Sequence, residues 1–159
     1  MALQYGLTKK KEQAILAFGS GYTAVNFFLF ARFQQLQGEM KMKYSYKKLS
    51  VWQRAMDLAV LVYQLTQNFP KSEMFNLVDQ MRRAAVSIVS NIAEGRSRGT
   101  DAEFIHFLYV SRGSCTELET QILLSDRLGY LTEENCERAC EICDEINRKL
   151  SKLIASIKA

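Results

Sequence analysis

The amino-acid sequence predicts an all-α protein, an antiparallel up-down-up-down four-helix bundle, on three observations. Breakers are scarce, with one proline and eight glycines in 159 residues against 48% apolar residues, so most of the chain is free to run as long helices. Beyond Lys43 the apolar residues recur in alternating steps of three and four, the seam spacing of packed helices. No stretch alternates apolar and polar residues as a half-buried strand would.

The first helix carries Trp52, Met56, Ala59 and Tyr63 at helical spacing, with Ala55, Leu58, Val62 and Leu65 beside them. Ser50 and Gln53 form a capping box at its start, and Phe69-Pro70 ends it near Asn68 because the residue before proline avoids the α region. The second helix is capped by Ser72, with Glu73 complementing the helix dipole in its first turn. Its seam is Met74, Val78, Met81, Ala85, Ile88 and Ile92, and Gly95 is its expected C-terminal stop. Thr100 with Asp101 and Glu103 opens the third helix. Phe104, Leu108, Ser111, Cys115, Leu118 and Ile122 form its seam, and Gly129 closes it. Gly113, inside that helix, costs up to about 1 kcal/mol relative to alanine, and its expected use is the close approach of a neighbouring backbone. Thr132 with Glu133 and Glu134 starts the fourth helix, whose seam is Ala139, Cys143, Ile146, Leu150, Leu153 and Ile157.

Short connections between four such helices give the bundle, a domain spanning 42–159. Helices one to three also carry apolar residues beyond one stripe, Val60, Leu61, Val86, Val89, Phe107, Tyr109 and Val110. A bundle core needs roughly a three-in-seven face, so the surplus predicts a second buried surface and a homo-oligomer.

Residues 1–41 form an N-terminal extension outside the bundle. Lys9-Lys10-Lys11 precedes a mainly apolar run from Ala14 to Phe33, interrupted by Gly19-Ser20-Gly21 and Asn26. Three readings compete. The run resembles a signal or anchor segment of marginal spanning length, or it is a helical extension. The third is an over-extended start, favoured because the clean pattern begins directly after Met42 and the codons for Gly38-Glu39 can spell a ribosome-binding sequence just upstream.

The net charge of +4 is unevenly spread, +3 over 1–41, +5 over 42–98 and −4 over 99–159. A nucleic-acid argument must therefore rest on a local basic face. Lys47, Lys48, Arg54, Arg82, Arg96 and Arg98 are the candidates, with Arg96-Ser97-Arg98-Gly99 placed in a turn suited to meeting phosphate; the alternative is a solvated charged face. Folding the third helix back on the second sets Arg82 and Arg83 level with 112–116. Arg83, Asn91, Glu94, Arg112 and Glu117 are then expected to form a structural polar network fixing helix register, since buried charges survive only when paired. Arg83 would reach Glu117 or Glu119.

Catalytic chemistry finds little support, and no enzyme is expected. A nucleophile needs an activating base, and the only histidine, His106, lies between Phe104 and Phe107. The chain has no Gly-rich phosphate loop after a strand and no Glu-x-x-His pair of a di-iron bundle. Cys136, Cys140 and Cys143 share one helical face without a second ligand pair, so they read as small core residues in a reducing cytoplasm rather than a metal or redox site. No cofactor or metal is implied.

Several segments together carry a family resemblance: Y-S-Y-K-K-L-S-V-W-Q-R-A-M-D-L-A at 44–59, Gln80-Met81-Arg82-Arg83-Ala84-Ala85, S-N-I-A-E-G at 90–95, and Arg112-Gly113-Ser114 with Glu117-Leu118-Glu119. In this order and spacing they resemble the four-helix-bundle proteins encoded by intervening sequences of bacterial 23S rRNA genes, over about 42–157. Val89 departs from the pattern, where proline is common after Ser-Ile. The resemblance implies a ring-like homopentamer in the cytoplasm with an RNA- or DNA-binding role. It extends to the accessory variability determinants of diversity-generating retroelements, which implies a reverse transcriptase as partner. A structural or protein-interaction scaffold without nucleic acid is the competing expectation.

Overall fold

The computed structural model describes residues 32–33 and 45–159, and the expectations for the N-terminal extension lie outside the described residues. The chain divides into two compact units, Met1–Met42 and Lys43–Ala159; the second contains the bundle. A 3-10 turn, Ser45–Lys48, leads into α1 (Ser50–Leu65), followed by α2 (Leu77–Ser97), α3 (Asp101–Arg127) and α4 (Glu133–Lys158). Each helix packs chiefly on its two sequence neighbours, with α1 and α4 closing the square.

Two of the four helices start as their sequence predicts. The Thr100 hydroxyl accepts from Glu103 N at 3.2 Å, the N-cap bond, and donates to the Glu103 carboxylate at 2.9 Å, so the glutamate returns to the hydroxyl rather than to the Thr100 amide. Thr132 caps α4 by accepting from Asn135 N. The other two starts differ. Leu49 holds the α1 cap position with no side-chain bond, and Gln53 Nε2 donates instead to the Lys47 carbonyl. Residues Lys71–Glu73 form a separate 3-10 turn, so α2 begins four residues after the expected Ser72–Glu73 start, at Leu77. Met74 consequently leaves the α2 seam and is exposed beside Phe75, which is 86% open. At the other end of α1, the α-helix gives way to a 3-10 turn at Thr66–Asn68, and the Thr66 hydroxyl donates back to the Val62 carbonyl at 2.8 Å.

The core follows the predicted seams of α2, α3 and most of α4, with Met81, Ile88, Ile92, Leu118, Ile122 and Ile146 fully buried. On α4, Leu153 and Ile157 are only partly covered and Ile142 and Ile154 sit inside. On α1 the stripe Val51, Ala55, Leu58 and Val62 is buried, with Ala59 and Leu61 at its margins, while Met56 and Tyr63 of the other stripe point outward. Both sets step 4, 3, 4, and packing against α2 and α4 selects the first.

The close backbone approach expected at Gly113 falls at Gly95 instead. α2 runs straight through Gly95, which is buried. A Cβ built there would stand 2.5 Å from Phe107 Cβ and 3.1 Å from the Phe104 ring, so only glycine lets α2 and α3 approach this closely. Gly113 faces open space, with no neighbouring atom within 4 Å of the place a Cβ would take. Gly129 closes α3 as predicted, at φ 71°, with Tyr130 N bonding the Ser125 carbonyl in a Schellman-type cap.

Candidate nucleic-acid interface

Helix register decides which charges meet. Ser87 and Ser114 bond through their hydroxyls at 2.9 Å, and the Ser111 hydroxyl donates to the Ile88 carbonyl at 3.0 Å. Cys115 Sγ donates to the Cys143 carbonyl at 3.5 Å, and Arg54 Nε donates to Glu145 Oε2 at 2.6 Å. These four cross-links lie near mid-height of the bundle. Divided there, with the Arg54–Glu145 pair itself at the boundary, residues 45–53, 88–112 and 146–159 carry nine Lys/Arg against three Asp/Glu, and residues 55–87 and 113–144 carry five against eleven. A segment with no net charge thus folds into a basic end of +6 and an acidic end of −6.

The basic end gathers the turn Ser45–Lys48, the C-terminus of α2, the N-terminus of α3 and the C-terminus of α4. It holds Lys47, Lys48, Arg96 and Arg98 among the predicted nucleic-acid candidates. Sequence reading missed its other contributor, the last turns of α4, where Arg148, Lys149, Lys152 and Lys158 follow Glu145 with no further acid. That acid-free run was a visible signal; its meeting with Lys47 and Arg98 depended on the topology. Several cations at this end rest on aromatic rings. Arg96 lies 5.4 Å from the centroid of buried Phe104, and Arg98 lies 5.2 Å from that of half-buried Phe107. Arg112 and Lys158 stand 4.8 and 5.4 Å from the Tyr109 centroid. Lys158 Nζ also donates to the Tyr109 hydroxyl at 3.1 Å, and that hydrogen bond to an ammonium pulls the phenol below the ordinary tyrosine value.

Two predicted candidates sit elsewhere. Arg54 is at mid-height, held by Glu145; the Arg54 and Lys149 cations keep the Glu145 carboxyl below its usual range, with the Arg54 hydrogen bond the larger cause. Arg82 belongs toward the acidic end, where Nε donates to Thr66 Oγ1 at 2.9 Å and the guanidinium covers Tyr63 at 4.9 Å. The register also places Arg82 and Arg83 farther along α3 than hairpin counting suggests, since Met81 meets Ser125.

The five residues expected to form a register-fixing network make their contacts within their own helices. Arg83 pairs with Asp79 at 3.0 Å rather than with Glu117 or Glu119, and Glu94 pairs with Arg98. Glu117 accepts from Gln121, and Asn91 Nδ2 donates to the Ser87 carbonyl and hydroxyl. Arg112 covers Tyr109. The polar contacts that cross between α2 and α3 come from serines instead, where small side chains admit close packing.

Among the described residues no group of three His, Cys, Asp or Glu side chains is placed to hold a metal ion. His106 is exposed and edge-on to Phe107. Burial, followed by the neighbouring thiol, pushes Cys140 up to about 12, and Cys143 is raised first by its contact with Cys115 and then by burial. Both thiols are therefore poor nucleophiles and poor ligands.

Residues 47–152, which take in most of the bundle, match the family model described as 23S rRNA-intervening sequence protein. The chain belongs to this family. No curated protein matches it. Among solved structures it is similar to a protein of unknown function from the S23 ribosomal protein family of Bacteroides thetaiotaomicron. That similarity is 28% identical with a TM-score of 0.60, covering 65% of this chain and 97% of the other. No described helix is long and apolar enough to cross a membrane.

Proposed function

We propose that this family member is a non-enzymatic, cytoplasmic homo-oligomer that binds nucleic acid, structured RNA above all, along its phosphate backbone through the basic end of the bundle. The charge division, +6 against −6, carries the proposal. Backbone binding works by neutralising phosphates and releasing counterions, and a bundle with one cationic end has a surface for this even though residues 45–159 carry no net charge. The acidic end repels the same ligand. The family name, which refers to rRNA, favours RNA among nucleic acids.

Oligomerisation is supported by an apolar groove of about 350 Å³ between α1 and α2, lined by Met56, Val60, Tyr63, Val86 and Val89 among others. Val60 is 53% exposed. The groove's exposed walls, Met56, Tyr63 and Val86 beside Val60, are a surface that a second copy can cover, and a pentameric ring with parallel bundles would gather the basic ends on one face. The same groove supports the scaffold reading, in which the ring carries no nucleic acid. A reverse transcriptase is the partner proposed from the family resemblance, tested by co-purification.

Binding of the full chain to structured RNA across a salt series tests the proposal. Affinity is expected to fall steeply with salt. Neutralising Lys47, Lys48, Arg96 and Arg98 together should weaken binding by on the order of tenfold or more and flatten the salt slope. Neutralising Lys71, Arg127 and Arg138 at the other end should leave it unchanged. Absence of binding at low salt leaves the scaffold reading, and a Val60→Glu, Val86→Glu pair that stays oligomeric removes the groove from the assembly.

A further inference from the structure

We infer that the basic end takes unpaired, single-stranded nucleic acid in preference to duplex, with Tyr109 as the ring on which a base stacks. This rests on the nucleic-acid reading above and narrows its substrate class.

Phosphate neutralisation alone needs only cations, and solvated lysines suffice for it. The basic end is built differently. Tyr109 projects from α3 with 39% of its surface open, and two cations from separate helices hold it. Lys158 of α4 fixes the hydroxyl at 3.1 Å, and Arg112, on the next turn of α3, stands 4.8 Å from the ring centroid. On the α2 side, Arg98 lies 5.2 Å from the partly open ring of Phe107. Each ring of α3 thus carries a cation from a neighbouring helix, Lys158 of α4 at Tyr109 and Arg98 from the end of α2 at Phe107, and Tyr109 has Arg112 of its own helix besides.

A positive surface that follows the backbone, joined to aromatic faces that receive bases, is the combination by which proteins hold single strands. In a duplex the base faces are already stacked on one another, so a side-chain ring adds nothing there. The guanidinium of Arg112, planar and weakly hydrated, can itself stack on a base or remain on the phosphate while the ring takes the base. If the rings served only to steady the cations, they would contribute equally to both ligands.

The test uses the full chain and fluorescence anisotropy at fixed salt, with uridine and deoxythymidine homopolymer single strands and duplexes of equal length. Tyr109→Ala should weaken single-strand binding by about fivefold or more, the lower range for one stacked base, and leave duplex affinity unchanged. Tyr109→Phe, which keeps the ring and loses the Lys158 hydrogen bond, should restore single-strand binding, and thermal melts of both variants should match the parent chain. The ribose and deoxyribose arms report whether the sugar contributes. Equal losses on both ligands, or no loss on either, would overturn the stacking role while leaving backbone binding intact. Absence of binding by the parent chain to every probe would instead overturn the nucleic-acid reading and this one with it.

Discussion

The two ends of the bundle are built from the same four helices yet differ in charge and in chemistry. At the basic end α2 and α3 meet over Gly95, with Phe104 and Phe107 packed on its bare backbone, and cations cap the exposed rings. At the acidic end, Asp126 and Glu137 act on the thiol of Cys136, and Glu119 and Asp144 act on that of Cys140. The helix dipoles accept both arrangements, since α4 places its acids in the first turn and Lys158 in the last. The difference shows that a single chain with no excess charge in its folded segment can present two surfaces of opposite sign, provided the sequence distributes charge by height in the fold.

Measurements on either end, and on the middle between them, probe this contrast. The largest expected difference is chemical. Burial raises Cys136 and Cys140 first, and nearby acids add to it, so alkylation of Cys140 in the native protein at mildly alkaline pH should run on the order of a hundredfold or more slower than that of a free thiol. Fast modification before unfolding, followed by mass spectrometry, would contradict this.

Next comes the pair of glycines. Gly95→Ala places a methyl group against Phe107 Cβ, which is fixed to the α3 backbone and cannot swing aside, so a loss of about 1–3 kcal/mol is expected. Gly113→Ala, pointing into open space within a helix, should stabilise by up to about 1 kcal/mol. Denaturant unfolding of the two variants measures both, and equal effects would remove the close approach at the basic end.

The smallest effect sits at mid-height, where the Arg54–Glu145 pair joins α1 to α4. Its partly exposed geometry limits it to below about 1 kcal/mol. The folded-state pKa of Glu145 is lowered, so its contribution is present above the ordinary glutamate value and is lost as pH falls through the lowered one. The stability gap between the parent chain and Glu145→Gln should therefore be constant near neutrality and close only in acid, below about pH 4. A gap that persists in acid would assign the effect to packing.

Much of the bundle was legible in the sequence. Four helices, the Thr100 and Thr132 caps and the Gly129 stop are written in local chemistry, because a hydroxyl three residues from an amide, or a residue at positive φ, acts within one turn. The α3 seam, and the α2 seam from Val78 onward, were equally plain, since each keeps alternating steps of three and four throughout. The candidate interface was half legible. Lys47, Lys48, Arg96 and Arg98 stood out as basic clusters, but nothing local ties them to Lys152 and Lys158, about fifty residues or more farther along the chain.

The features that waited for the packed helices are of one kind. α1 offers two apolar stripes with the same 4, 3, 4 steps, Val51–Ala55–Leu58–Val62 and Trp52–Met56–Ala59–Tyr63, and only the position of its neighbours turns one inward. Gly95 and Gly113 look alike in a helical pattern, and which of them faces another backbone depends on the rotation of α2 against α3. The sign of each end depends likewise on helix register, which hydroxyl pairs such as Ser87–Ser114 set across the interface. Periodicity and caps are short-range properties and survive in one dimension; the direction a helical face points, and the company a charge keeps, exist only once the helices have packed.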